Sequence, residues 1–289
     1  MSPRPRVSVV IPTRDRPEAL QRAVDSVLSQ SFEHIEIVVV DDASVIPAEP
    51  AVGESVAHVT VVRNDVALGP SGARNRGLEA SSAPVVAFLD DDDIWLPTKL
   101  AAVMSCFADH PEVGVVAHKV AMADAAISSR SEITVVAKPV RRFLLSQPPH
   151  LSGVAIRREL HEMVRFDEDF WAAEDLDYLI RLAGVTSFAF VDAVYARHGK
   201  RVDDPSLIAI DRRIEARRQL RAKHDALFDR RADAFHLMRL GHLYRRAGRR
   251  SNALASFAQA AARCPTLGHA WRGIVLSTLP DKLVRRLVA

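Results

Sequence analysis

Val85-Val86-Ala87-Phe88-Leu89-Asp90-Asp91-Asp92-Asp93-Ile94-Trp95-Leu96-Pro97 is the stretch that decides the fold. Its first five residues form an unbroken apolar run, which suits a strand covered on both faces in a parallel sheet. The run stops on four consecutive aspartates. Carboxylates a few ångströms apart raise one another's pKa and repel, so a solvated surface turn fits poorly between two apolar stretches. A cation belongs there. Hard oxygen ligands select Mg²⁺ or Mn²⁺, ions that typically combine one or two carboxylates with substrate phosphates.

Upstream, the same grammar repeats. Val7 to Ile11 is a β-branched run closed by Pro12, and Arg16-Pro17 opens a helix with Leu20, Ala23, Val24, Val27 and Leu28 at helical spacing. Ile35 to Val40 is a second strand ending on Asp41-Asp42-Ala43-Ser44, Val59 to Val62 a third, and Ser71 to Ala80 a helix before the fourth strand. Strands alternating with helices predict a doubly wound, mostly parallel α/β sheet. Such sheets bind ligands outside the carboxyl ends of their strands. Here those ends carry Thr13 and Asp15, then Asp41 and Asp42, then Asp90 to Asp93.

Downstream, Leu100, Val103, Met104 and Phe107 predict a helix to His110, and Val113 to Val116 a strand. Residues 120–150 are interrupted by Pro139, Pro148 and Pro149 and read as a loop-rich segment able to shape a pocket. Glu174 to Leu182 reads as a helix, Phe188 to Val191 as a last strand, and Pro205 to Leu227 as a long charged helix. From Ala234 to Leu267 the residues Leu237, Leu240, Gly241, Tyr244, Ala253, Phe257, Ala260 and Pro265 fall at the spacings of one tetratricopeptide repeat. A lone repeat cannot bury its own apolar face, so it packs either on its neighbour as a cap or on a partner. Residues 1–215 are thus expected to form the α/β catalytic domain and residues 216–289 a small all-α region, with the repeat at about 234–267.

Composition excludes several classes. With 289 residues and 48% hydrophobic content the chain can build a large core, and no run approaches the roughly 18 to 20 apolar residues of a membrane span. Cys106 and Cys264 lack any metal-site or disulfide pattern. The net charge of +3 hides arginines crowded after Arg197, which read first as a solvated helical surface. The expected address is the cytoplasm, with peripheral contact at the inner membrane face left open. Nucleic acid is not an expected partner, whereas a protein partner or self-association through the C-terminal helices stays open.

Five motifs in order resemble the family 2 glycosyltransferases with the GT-A fold: Val9-Val10-Ile11-Pro12-Thr13, Val39-Val40-Asp41-Asp42-Ala43-Ser44, Gly72-Ala73-Arg74-Asn75-Arg76-Gly77, Phe88-Leu89-Asp90-Asp91-Asp92-Asp93, and Glu174-Asp175. The resemblance spans residues 7 to about 200. It implies a GT-A (Rossmann-like) domain that moves a sugar, with inversion, from a UDP- or dTDP-sugar donor to the hydroxyl of a saccharide, lipid-linked or small-molecule acceptor. Position by position, Pro12, Thr13 and Asp15 would line the nucleotide pocket, and Asp41 and Arg74 would face the base. Asp90-x-Asp92 resembles the DxD motif, with Asp92 as metal ligand for Mn²⁺ or Mg²⁺ and Asp90 and Asp91 nearer the donor. Because all four positions are Asp, Asp91 or Asp93 could share the metal. Glu174-Asp175 resembles the ED motif, with Asp175 as general base and Glu174 in support, and His198 would close over the metal or diphosphate. The family usually has Gly at the position of Ala43.

The residues also allow blander roles. Asp41 and Asp42 can cap the turn after their strand, Arg74 can be an ion pair, and Glu174-Asp175 can cap a helix N-terminus. Two other functional classes remain. A sugar-phosphate nucleotidyltransferase would carry a Gly-rich loop after the first strand, where this chain has Pro12-Thr13-Arg14-Asp15. An inert scaffold binding partners through its helical tail would have no use for the acidic motifs.

Overall fold

In a computed structural model of the protein, residues 4–48, 58–122, 133–136, 140–199 and 207–279 are described. In chain order the elements are β1 (Val7–Thr13), α1 (Pro17–Leu28), β2 (Ile35–Asp41), β3 (Val59–Arg63), α2 (Gly69–Ala80), β4 (Val85–Phe88), β5 (Asp93–Trp95), α3 (Lys99–Asp109), β6 (Val113–Ala121), β7 (Ile133–Val136), α4 (Val140–Ser146), β8 (Val154–Arg157), α5 (Leu160–Met163), α6 (Glu174–Leu182) and β9 (Ser187–His198). They are followed by α7 (Leu207–Lys223), α8 (Arg230–Arg246), α9 (Arg250–Arg263) and α10 (Gly268–Thr278). Two compact units emerge: residues 1–140, 149–169 and 174–202, and residues 141–148, 170–173 and 203–289.

The first unit is built on one sheet in the order β3-β2-β1-β4-β8-β6-β9-β5, with β7 also pairing with β9. The four strands β3, β2, β1 and β4 are mutually parallel, in keeping with their largely apolar sequences. Val9, Val10, Val38, Val39, Val86 and Ala87 have no exposed surface at all. Beyond β4 the sheet is mixed, because β8 runs antiparallel between β4 and β6. The register aligns Thr13 of β1 with Asp41 of β2, and Asp41 with Arg63 of β3. The ends of β1, β2 and β3, two of them carrying motifs, therefore stop at one level. Helix α2 lies close over β1 and β2 at Gly77, where a Cβ would collide with the side chains of Val10 and Val40. That close approach accounts for a glycine in mid-helix despite its cost of roughly 1 kcal/mol relative to Ala.

Strand β9 is longer than the expected Phe188 to Val191 and runs on to His198. The charged Asp192 had marked an end to the apolar run, but it forms an ion pair with Lys119 on the adjacent β6 while the strand continues past it. His198 consequently lies in the sheet, opposite Asp93 of β5.

The second unit is helical. Residue 215, the expected boundary of the helical region, lies inside α7 (Leu207–Lys223), all of which falls in the second unit. Ile210 and Ile214 of α7 pack with Leu240 and Tyr244 of α8 and Ala253 and Phe257 of α9, so α7 belongs with the helices that follow it. On the other side, Ala270 and Ile274 of α10 pack with Ala234, Leu237 and Ala260. The α8/α9 pair carrying the repeat spacing is thus flanked within its own unit. Asp229 caps α8 by accepting from the backbone N–H groups of Arg231 and Ala232, at 3.0 and 2.9 Å.

His236 of α8 is buried edge-on against Phe228. Burial pushes its imidazole down to about 4, and Arg217 adds to the effect while Asp233 opposes it. Between that value and the ordinary 6.5 the unfolded chain binds a proton that the folded chain refuses. This contribution to stability is complete above the upper value and is lost as the pH falls towards the lower. Thermal unfolding from about pH 7 to about pH 4.5 should show a smaller loss of melting temperature for His236→Gln than for the parent. Equal losses would mean that His236 is not the group responsible.

Candidate active site at the strand ends

The acidic run leaves β4 as a tight turn, closed by the Asp93 N–H donating to the Asp90 carbonyl at 3.0 Å. The four carboxylates enter different surroundings. Asp91 is buried, accepting from the Thr13 hydroxyl at 2.7 Å and from Arg16 Nη1 at 3.1 Å. Burial pushes its carboxyl up to about 6, with the neighbouring Asp92 charge adding to the effect and Thr13 and Arg16 pulling the other way. Asp92 is partly exposed, 3.6 Å from the same Arg16 nitrogen. Asp90 accepts from Arg74 Nη2 at 2.8 Å. Asp93 is buried, accepting from Ser152 Oγ at 2.6 Å and from the Gly199 N–H at 3.3 Å.

Two imidazoles complete this end of the site. His198 Nδ1 lies 3.2 Å from Asp93 Oδ1, and His150 Nδ1 lies 3.4 Å from Asp93 Oδ2. Their rings meet edge-on with centroids 4.3 Å apart. Gly199 follows His198 so closely against the turn that a Cβ there would overlap the Asp92 carbonyl. Potential ligand atoms converge in two overlapping sets, Asp90, Asp92 and Asp93, and Asp93, His150 and His198, each set lying within 4.8 Å. Carboxylate and imidazole donors at that spacing fit a divalent cation.

Arg74 of α2 joins the turn to the ED pair. Its Nη1 donates to Glu174 Oε1 and its Nη2 to Asp90 Oδ1, both at 2.8 Å, and it is almost fully buried. Burial raises the Glu174 carboxyl above its ordinary range, with the Asp175 charge adding and Arg74 opposing. Asp175 is half-buried in the first turn of α6, its Oδ1 accepting from the Leu176 N–H at 2.7 Å.

The expected nucleotide-pocket residues divide by exposure. Pro12 and Thr13 end β1, and Asp15, with φ of 54°, accepts from the Val45 N–H at 2.6 Å. Asp41, expected to face a base, is fully buried, with one oxygen taken by the Ser44 N–H and the other by the Ala48 N–H and Arg63. Burial pushes its carboxyl up, but those donors and the Arg63 charge prevail and hold it below the ordinary value. Asp42 accepts from Asn64 Nδ2 and the Leu68 and Gly69 N–H groups, bracing the entrance to α2. Both aspartates therefore organise the loops around the pocket, while Arg74 is engaged with two acids. Ala43 has φ of 57°, a left-handed conformation that gives the physical reason for glycine at this position in related chains.

Three residues escaped the sequence reading as site members: Arg16, His150 and Ser152. Arg16 had a signal, since four clustered carboxylates demand a nearby cation and Arg16 closes the loop after β1. His150 and Ser152 had none, because they follow a Pro-interrupted segment and reach the turn only when β8 pairs with β4.

Residues 8–150 match the profile of a family described as "Glycosyl transferase family 2". The chain carries a family 2 glycosyltransferase domain. Curated relatives include an uncharacterized glycosyltransferase of Nostoc sp., 35% identical over 39% of this chain and 36% of its own length. Another is the UDP-Glc:alpha-D-GlcNAc-diphosphoundecaprenol beta-1,3-glucosyltransferase WfgD of Escherichia coli, 35% identical over 34% of this chain and 40% of its own length. The chain thus matches about two fifths or less of these two relatives. Among solved structures, S. aureus TarS 1-349 in complex with UDP-GlcNAc superposes with a TM-score of 0.60 at 16% identity, covering 94% of this chain and 89% of that one. The mannosyltransferase PcManGT from Pyrobaculum calidifontis, in complex with GDP-Man and Mn²⁺, gives 0.61 at 21% identity, covering 97% and 82%. These likenesses establish the GT-A fold, sheet and helical C-terminal region included.

Proposed function

We propose that this protein transfers a sugar, with inversion, from a UDP- or dTDP-sugar to an acceptor hydroxyl. The observation that carries the reading is the convergence of Thr13, Arg16, Arg74, His150 and His198 on the Asp90–Asp93 turn, with Glu174 joined to it through Arg74. The turn follows the carboxyl end of β4, where an α/β sheet binds ligands. Pro12, Thr13 and Asp15 line the nucleotide side, Asp41 holds its wall, and Asp90 and Asp91 face the sugar diphosphate. Asp92 and His198 hold Mn²⁺ or Mg²⁺, which when bound offsets the charge of the leaving diphosphate. Asp175 takes the acceptor's proton as the acceptor oxygen attacks the anomeric carbon and the bond to diphosphate breaks. Glu174, tied to Arg74, fixes the start of the helix that presents Asp175.

The names of the relatives agree with this reading: that of WfgD specifies a UDP-sugar donor and a diphosphoundecaprenol-linked acceptor. A lipid-linked acceptor would place the protein at a membrane surface as a peripheral protein. Among the described residues no helix is long and apolar enough to cross one.

The test is Asp92→Asn. Calorimetric titration with UDP and Mn²⁺ should show affinity weakened about tenfold or more, while the metal-free protein unfolds no earlier than the parent because one charge has left a repelling cluster. Unchanged Mn²⁺ dependence would remove Asp92 from the ligand set.

A further inference from the structure

We infer that His150 is a metal ligand, and that with Asp93 and His198 it forms a nitrogen-rich half of the cation site that favours a borderline transition metal over Mg²⁺. The inference rests on the metal-dependent reading above and deepens it. The juxtaposition is a buried carboxylate with one imidazole on each oxygen: His198 Nδ1 at 3.2 Å from Oδ1 and His150 Nδ1 at 3.4 Å from Oδ2. His150 Nε2 lies 3.8 Å from Asp90 Oδ2, so the same ring also borders the other carboxylate set. Ligand atoms bound to one ion at the usual distance of about 2.1 Å are separated by roughly 3 to 3.4 Å, the range these contacts fall in.

Both partners are held in place independently of any ion. Asp93 is fixed by Ser152 Oγ and the Gly199 N–H, and Ser152 Oγ in turn accepts from the Asp90 N–H at 3.1 Å. His198 is fixed by the pairing of β9 with β5. His150 sits two residues before Ser152 and its Nδ1 accepts from the Ser152 N–H at 3.4 Å, a long contact that a cation bound at Nδ1 would replace. Both side chains are partly exposed, 24% for His150 and 19% for His198. Carboxylate-only sites are the province of Mg²⁺, whereas imidazole donors raise affinity along the series from Mn²⁺ to Co²⁺. A Mg²⁺ ion, which dehydrates reluctantly and prefers oxygen, gains little from His150.

The experiment is a calorimetric titration of the whole protein with Co²⁺ and, separately, Mg²⁺, for the parent, His150→Gln and Asp92→Asn, with the visible spectrum of the Co²⁺ form recorded alongside. The expected result is that His150→Gln weakens Co²⁺ at least about tenfold and alters the Co²⁺ spectrum, while Mg²⁺ affinity changes less than about twofold. Metal-free melting curves of parent and variant should coincide, and His198→Gln should reproduce the selective loss if His150→Gln proves unstable. If His150→Gln leaves Co²⁺ affinity and spectrum unchanged while Asp92→Asn abolishes binding, His150 is not a ligand and the metal-dependent reading stands without it. If the parent binds neither cation, alone or with UDP, the metal-dependent reading itself falls.

Discussion

Asp175→Asn should lower sugar transfer by at least about 10²-fold, the usual contribution of a general base, with UDP affinity in the presence of Mn²⁺ left within about twofold. The substitution keeps the size of the side chain and its ability to accept from the Leu176 N–H, so α6 should form as before. What it removes is the basic oxygen. The residues proposed to contact donor and cation lie on other elements, at the ends of β1 and β4 and on the β9–β5 pair, and do not include Asp175. Calorimetry beside a transfer assay separates the two quantities. A variant that transfers at the parental rate would turn attention to Glu174 or Asp177. Loss of donor binding would instead assign Asp175 to the nucleotide or metal site.

Arg74→Ala should destabilise the first unit by about 3 to 5 kcal/mol, the penalty for removing one partner of a buried ion pair. Arg74 spans two acids, Asp90 and Glu174, whose side chains are only 19% and 12% exposed. Without the guanidinium two poorly hydrated carboxylates are left near each other, and the Glu174 carboxyl, already raised by burial, loses its main counterweight. Arg74→Ala combined with Glu174→Gln should recover part of the loss, since one of the stranded charges is then gone. Arg74→Lys should fall between, because an ammonium lacks the two parallel arms that reach both acids. Denaturant unfolding measures all four proteins. A single Arg74→Ala variant within about 1 kcal/mol of the parent, the value of an ordinary surface ion pair, would show that the bridge does not hold the site together. Asp175→Asn and Arg74→Ala also divide the site: Asp175→Asn should spare stability and lose transfer, whereas Arg74→Ala should lose both.

The parallel half of the sheet was legible because its signals are local. Val7 to Ile11, Ile35 to Val40 and Val85 to Leu89 are short runs apolar on both faces, and only strands buried on both sides have that composition. The second half was less so. Val154–Arg157 is four residues long and follows a Pro-interrupted segment, and β9 continues through Asp192, whose exposed side chain pairs with Lys119 on the next strand. No window of sequence contains that partner. The expectations for residues 123–132, 137–139 and 200–206 lie outside the described residues.

For the site the division is similar. The four aspartates, by their mutual repulsion, announced a cation, and the ED pair announced a helix start carrying acid, both from neighbours in the chain. The sequence by itself therefore determined the class of fold, the strand ends that carry the chemistry and the kind of charge needed there. Only the tertiary structure decided which groups meet those charges: Arg74 between Asp90 and Glu174, positions 16 and 100 residues away, and His150 and His198 on either side of Asp93, 57 and 105 residues away. The reason is physical: a carboxylate records in its own sequence that it needs a partner, but any arginine or histidine can satisfy it, and pairing of strands distant in the chain selects which one arrives.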